Sequence, residues 1–323
     1  MNFLLRPGHS GRLPGLLPVA ALIAAIPVPA PGQAPLVPLA QPEAGPATAA
    51  TQPALPPEGS VGGMGDVNLY PKRVVISDRE RTATVGLYNR APVSGDYDIA
   101  ITDMTMLPDG RLVDLASVSD PAVLAAVRSA SAMLRWSPHR VSLPANEAQL
   151  VRIMARVPPE LPPGEYRAHF SAISVPPETG ELSIEQAAGA ESGGVGVQIV
   201  PRFGISIPVI VRVGETTLTT GMRDLKVIRP AGGPPAFALR IMRQGTRSAF
   251  GNITVTSSRA KKPLGEIKGV GIYTEIEERS VQIPVDAAAD PALYARGAVL
   301  TVTYIDDDFA PGKVLARQDF TVP

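Results

Sequence analysis

The stretch Val195-Gly-Val-Gln-Ile-Val-Pro-Arg-Phe-Gly-Ile-Ser-Ile-Pro-Val-Ile-Val211 carries an apolar residue at every odd position: Val195, Val197, Ile199, Pro201, Phe203, Ile205, Ile207, Val209 and Val211. Even positions are mostly small or polar, among them Gly196, Gln198, Arg202, Gly204 and Ser206. Successive side chains of a β-strand point to opposite faces, so this pattern reads as a strand with one apolar face. The run is roughly three times the usual strand length. At about 3.3 Å per residue it would reach on the order of 56 Å, more than one small sandwich needs. Pro201 inside it suits an edge strand, which cannot rely on every backbone N–H. Two readings follow. The run is either a strand lent to a partner, with backbone hydrogen bonds giving affinity and alternate side chains filling pockets, or two core strands joined by a bend at Pro201-Arg202. The Gly-, Ala- and Glu-rich segment 178–194 before it reads as a soft loop.

Outward from this run the pattern stays β. Thr82 to Tyr88 and Tyr97 to Ile101 alternate, and Pro108-Asp109-Gly110 is a turn in which Pro presets φ and Gly supplies a positive φ. Gln149 to Val157 places Leu150 and Met154 opposite Val151 and Ile153, a strand partly buried on both sides. Pro121 to Met133 is the one helical stretch of this half. A second β-rich block predicts strands at Phe237–Met242, Asn252–Ser257, Val270–Ile276, Ser280–Val285 and Val299–Ile305. Short strands with turn signals between them predict two immunoglobulin-like β-sandwiches, an all-β chain. The join Arg212-Val-Gly-Glu215 is short, which predicts a nearly fixed angle between the two.

The N-terminus has a different character. Arg6 and Arg12, the apolar run Leu13 to Ile26 and the small residues around Ala30 predict an export signal over residues 1–30. Residues 31–65 are rich in Pro and Ala and predict a flexible segment, with folded sandwiches over 66–213 and 214–323. The 323 residues hold 30 Lys and Arg against 30 Asp and Glu, so no charge field argues for nucleic acid. Cysteine is absent, which excludes disulfides, thiolate metal sites and cysteine nucleophiles. His9, His139 and His169 lack metal-ligand spacing, and Gly193-Gly-Val-Gly196 precedes no helix and so is no phosphate loop. Asp306-Asp307-Asp308 reads as a solvated turn, and Trp136 as a core residue. No enzyme, metal or cofactor is expected.

Four fragments resemble the PapD-like pilus chaperones of the chaperone–usher pathway. They are Val67-Asn-Leu-Tyr-Pro-Lys-Arg-Val-Val-Ile76, Trp136-Ser-Pro-His-Arg-Val-Ser-Leu-Pro-Ala145, Leu161-Pro-Pro-Gly-Glu-Tyr-Arg167 and Ile207-Pro-Val-Ile-Val-Arg212. They occur in the family's order, and Gln244-Gly-Thr-Arg-Ser-Ala-Phe-Gly251 resembles the second domain of such relatives. The resemblance implies a periplasmic chaperone that holds pilin-type subunits by strand donation and delivers them to an outer-membrane usher, with no membrane insertion after signal cleavage. It implies that Arg73 binds a subunit's C-terminal carboxylate. The family's partner lysine falls on Pro208, and Arg202 on the same strand is the candidate substitute. Donor contacts map onto Val195, Val197, Ile199, Pro201 and Phe203. Arg212 matches an interdomain ion-pair residue whose acidic partner aligns with Ser174. The rival reading is a surface adhesin or pilus subunit built of immunoglobulin-like domains. It would carry an N-terminal donor extension, whereas residues 31–65 are broken by prolines.

Overall fold

The computed structural model describes residues 55–63, 65–77, 79–176, 201–230 and 232–323. The first sandwich comprises β1 (Val61–Gly62), β2 (Val67–Tyr70), β3 (Val74–Ile76), β4 (Thr82–Asn89), β5 (Gly95–Thr102), β6 (Met104–Met106), β7 (Leu112–Asp114), β8 (Leu134–Ser137), β9 (Arg140–Leu143), β10 (Ala148–Ala155), β11 (Gly164–Val175) and β12 (Gly204–Val213). One sheet runs β1-β2-β4-β10-β8 and the facing sheet β3-β12-β11-β5-β9, with β6 and β7 forming a separate hairpin. The second sandwich has β13 (Leu218–Ile228), β14 (Ala236–Gly245), β15 (Ala249–Thr256), β16 (Gly265–Ile272), β17 (Glu278–Pro284), β18 (Val299–Asp306) and β19 (Val314–Thr321). These make sheets ordered β13-β14-β17 and β16-β15-β18-β19. The all-β expectation of two sandwiches holds, each around its own apolar core.

The alternation reading is right for the second half of the run that decided the fold. Ile205, Ile207, Val209 and Val211 all point into the first sandwich's own core, with Val209 and Val211 wholly buried. The ladder begins only at Gly204, and Pro201 to Phe203 lie outside it. The described part of the run is therefore an ordinary core strand from Gly204 onward, and Val195, Val197 and Ile199 lie outside the described residues. So do the export signal and the loop 178–194.

Other departures have local causes. Folded structure begins before Asp66, because Val61 and Gly62 pair with Leu69 and Asn68. The helix expected over Pro121 to Met133 is a single α1 (Pro121–Ala126), capped by Asp120. It stops because the backbone of Arg128 and Ala130 pairs with Arg167 on β11, so those groups are not available to a helix. Leu150 is 61% exposed and Met154 41%, so β10 has one wet face and one buried face, Val151-Ile153-Ala155. The expected strand Val270–Ile276 is displaced to β16, which ends at Ile272, since Tyr273 and Glu275 leave the ladder to contact the first sandwich.

The join between sandwiches turns at Gly214, whose φ of 59° is a left-handed conformation that favours glycine. Gly245, at the end of β14, has φ 112°, and a Cβ there would stand 2.4 Å from the Thr217 carbonyl. The two faces of the first sandwich predict opposite tolerances. Ile207→Ala should cost about 2–5 kcal/mol in urea unfolding, whereas Leu150→Ser should stay within about 0.5 kcal/mol of the parent. Equal costs would contradict the placement of these residues.

Candidate functional site

The outer face of the β3-β12-β11 sheet meets the second sandwich. On β3, Val74 and Ile76 enter the core, which turns Arg73 and Val75 outward. On β12 the outward residues are Ile210 and Arg212, and on β11 they are Glu165, Arg167 and His169. An apolar cluster of Met106, Ile210, Phe250 and Tyr273 joins the two bodies.

Charged groups surround that cluster. Arg73 places Nη2 2.8 Å from Asp307 Oδ1 and Nε 3.2 Å from Asp308 Oδ1, and its guanidinium lies 4.1 Å over the Phe250 ring. Lys72 Nζ is 2.6 Å from the other oxygen of Asp307. Arg212 Nε is 3.2 Å from Glu165 Oε2, and its Nη2 bonds Asp308. Ser248 donates to Glu165, and the Glu165 backbone N–H donates to the Thr246 carbonyl at 3.0 Å. Asp306 organises the loop itself, accepting from the N–H groups of Asp308, Phe309 and Ala310 at 2.8–3.2 Å. Burial would lower the pKa of Arg212, but Asp308 and Glu165 outweigh it and hold the group above its ordinary value. Burial likewise pushes Asp307 up, and Lys72 and Arg73 overcome it to hold the carboxyl below its usual range.

Several sequence expectations are corrected here. Asp306-Asp307-Asp308 is not a solvated turn: its three carboxylates cap the loop or pair with Arg73 and Arg212 across the sandwiches. The partner of Arg212 on the neighbouring strand is Glu165, directly opposite it in the ladder, and not Ser174. The Arg212 network is therefore present. Arg73, expected to be free for a carboxylate, is 9% exposed and already paired twice within the chain. Arg202 does not join it. Val74 pairs with Val209, so Arg73 lies beside Pro208, and Arg202 is six residues further along, roughly 20 Å of strand. It bonds the Ser174 carbonyl at 3.2 Å and Asp98 at 3.3 Å instead. Of the expected donor contacts, Pro201 and Phe203 are described, both exposed.

The sequence reading missed the second ion pair. Arg167 and Glu275 are 2.7 Å apart and 5% and 4% exposed, with the guanidinium stacked 3.5 Å from the Tyr273 ring centroid. Its signal was present: Glu165 and Arg167 are charges of equal parity, alternating with Tyr166, Ala168 and Phe170 of the core face. Beside them His169 is fully buried, and neither ring nitrogen has a hydrogen-bond partner.

One edge of the first sandwich is only partly paired, with Gly63 and Gly65 lying against Gly204, Ile205 and Phe203 at its head. β3 pairs with β12 only at Val209, Ile210 and Val211. Both the N–H and the carbonyl of Phe203 bond Ser174 at the end of β11. Backbone groups alternate sides along a strand, so odd residues of β12 turn toward β11 and Gly204, Ser206 and Pro208 turn away. Among the described residues no hydrogen bond is formed by the backbones of Gly204 and Ser206 on that outer side.

Neither a protein-family model nor a curated protein matches this chain. Solved structures do. The YadV chaperone aligns over 80% of this chain and 100% of its own, with 14% identity and a TM-score of 0.41. The Salmonella enterica SafA pilin in complex with the SafB chaperone aligns over 81% and 99%, with 14% identity and a TM-score of 0.40. The CsuC-CsuE chaperone–tip adhesion subunit pre-assembly complex of Acinetobacter baumannii aligns over 81% and 98%, with 11% identity and a TM-score of 0.39. At such identities and TM-scores the function rests on the residues of this chain.

His169 sets a pH dependence. Burial first, and then the Arg167 charge, depress its pKa from 6.5 to about 3. Above pH 6.5 the ring is neutral folded and unfolded, and contributes nothing to pH dependence. Below it the unfolded chain takes a proton that the folded chain refuses, so stability falls as pH falls, by about 1.4 kcal/mol per unit down to about pH 3. Urea unfolding of His169→Phe should show a shallower loss than the parent between pH 6.5 and 4.5, above the range in which Asp307 titrates. Parallel curves would remove His169 as the source.

Proposed function

We propose that this protein is a periplasmic chaperone that captures pilin-type subunits at the open edge of β12 and passes them to an outer-membrane usher. The observation that carries the reading is the unpaired backbone of Gly204 and Ser206, immediately ahead of the parallel pairing with β3. An exposed strand edge is an aggregation hazard unless it is covered or used, and adding a strand there supplies main-chain hydrogen bonds without a preformed pocket. The four fragments that resemble pilus chaperones support the same reading, because two of them, Val67–Ile76 and Ile207–Arg212, contain β3 and most of β12. In this reading Val195, Val197, Ile199, Pro201 and Phe203 extend the contact beyond Gly204.

The charge cluster then has a double role. It holds the sandwiches together in the free protein, and Arg73 accepts a subunit's terminal carboxylate in exchange for Asp307. A guanidinium–carboxylate contact of this kind contributes about 1.5–3 kcal/mol, and Asp307 competes for it.

The edge is tested by Ser206→Pro, which removes an outward N–H while leaving the β11 ladder intact. With a pilin-type subunit co-expressed in the periplasm, the variant should fold normally and recover at least about tenfold less soluble subunit than the parent. Undiminished recovery by a folded variant would end the strand-addition reading. Asp307→Asn tests the exchange: it should raise subunit affinity, and an affinity unchanged or lowered would remove Arg73 from the binding site.

A further inference from the structure

At the head of the open edge, the end of the first sandwich contains a cavity of about 250 Å³. Val67 from one sheet, Tyr97 and Ile205 from the other, and Ala91 from the β4–β5 connection form its buried wall. Two large apolar side chains stand exposed at its mouth: Val93 at 65% and Phe203 at 44%. An exposed valine or phenylalanine alone means little, but two at the lip of an apolar cavity mark a place where something apolar is meant to enter. The cavity is below the range that encloses a drug-sized ligand, yet larger than the cavities of about 150 Å³ known to admit one benzene ring. Its size therefore fits one aromatic or large aliphatic side chain.

Its position says which. Phe203, Gly204 and Ile205 line the cavity, and Gly204 is also the first residue whose backbone faces the unpaired edge. A strand added along Gly204 and Ser206 would run toward the end of β12 where Gly63, Gly65, Phe203 and Gly204 line the cavity. We propose that this cavity receives one bulky apolar side chain, aromatic by preference, from the strand that pairs with β12, and so sets the register in which that strand binds. The inference rests on the strand-addition reading. A backbone ladder alone is indifferent to register, because every residue offers the same N–H and C=O, and a single pocket beside it breaks that degeneracy. Phe203 then belongs to the receiving wall, where it contacts the incoming side chain.

Two measurements test this. Indole alone is titrated into the protein and followed by methyl NMR. The Val67, Val93 and Ile205 signals should shift together in the parent and not in Ser94→Trp, whose new ring occupies the mouth from an exposed loop position. The absence of shifts in the parent would overturn the proposal. Then ten-residue peptides of alternating Thr and Val, each with 4-fluorophenylalanine at one position, are titrated against the parent, Ser94→Trp and Ser206→Pro. One position should bind the parent about 10- to 100-fold more tightly than the rest, and Ser94→Trp should erase that preference while keeping the weaker binding common to all peptides. Peptides that bind the parent without positional preference, or whose preference survives in Ser94→Trp, would overturn the cavity's role and leave strand addition standing. Peptides that bind Ser206→Pro as well as the parent would overturn strand addition itself. Should Ser94→Trp lower the thermal midpoint, Val93→Asp at the rim replaces it, with the same expected loss.

Discussion

The contact between Arg212, Glu165 and Asp308 is the constraint on which the two-sandwich body depends. Arg212 lies near the end of β12, Glu165 near the start of β11 and Asp308 in the β18–β19 connection, so one guanidinium ties two strands of the first sandwich to a loop of the second. A buried charge cluster of this sort is not a strong source of net stability, since desolvation offsets much of the Coulomb gain. Its value is specificity. Asp308 is also held by Arg73 and Glu165 by Ser248, so several directional contacts together select one arrangement of the two sandwiches. The apolar cluster of Met106, Ile210, Phe250 and Tyr273 supplies the non-directional part of the same contact.

That junction bears on binding because β12 serves both ends. Its last residues are committed to the second sandwich through Ile210 and Arg212. Its middle is committed to the core through Ile207 and Val209. Only Gly204 and Ser206 keep backbone groups turned to the open side, next to the cavity walled by Val67, Tyr97 and Ile205. A strand anchored so firmly at one end can present its other end without fraying, and rigid presentation lowers the ordering cost of adding a partner strand.

The same packing explains the buried polar groups. β11 is covered on both faces, by the core on one side and by the second sandwich on the other. Glu165, Arg167 and His169 are therefore all buried, although a sandwich strand ordinarily keeps one face wet. Glu165 and Arg167 find partners across the junction. His169 finds none, and its burial disfavours the protonated ring.

The alternation of Ile205, Ile207, Val209 and Val211 determined by itself that β12 is a strand with one face in a core, because a period of two needs no knowledge of neighbours. What the sequence left open was how far each element runs and what faces it from outside. The helix after Pro121 stops where β11 takes over its backbone groups, and Leu150 and Met154 are apolar yet face water, so hydrophobicity alone misplaced them. Trp136 does pack against the core, as its type suggested. The pairing of Arg212 with Glu165 required the register of two antiparallel strands, Gly164 against Val213, which no linear spacing reveals. The Asp306-Asp307-Asp308 run looked solvated for the same reason: its partners Arg73 and Arg212 lie more than 90 residues away. Strand identity is a local property carried by side-chain periodicity, whereas the fate of a charge depends on what the tertiary fold brings to within hydrogen-bonding distance.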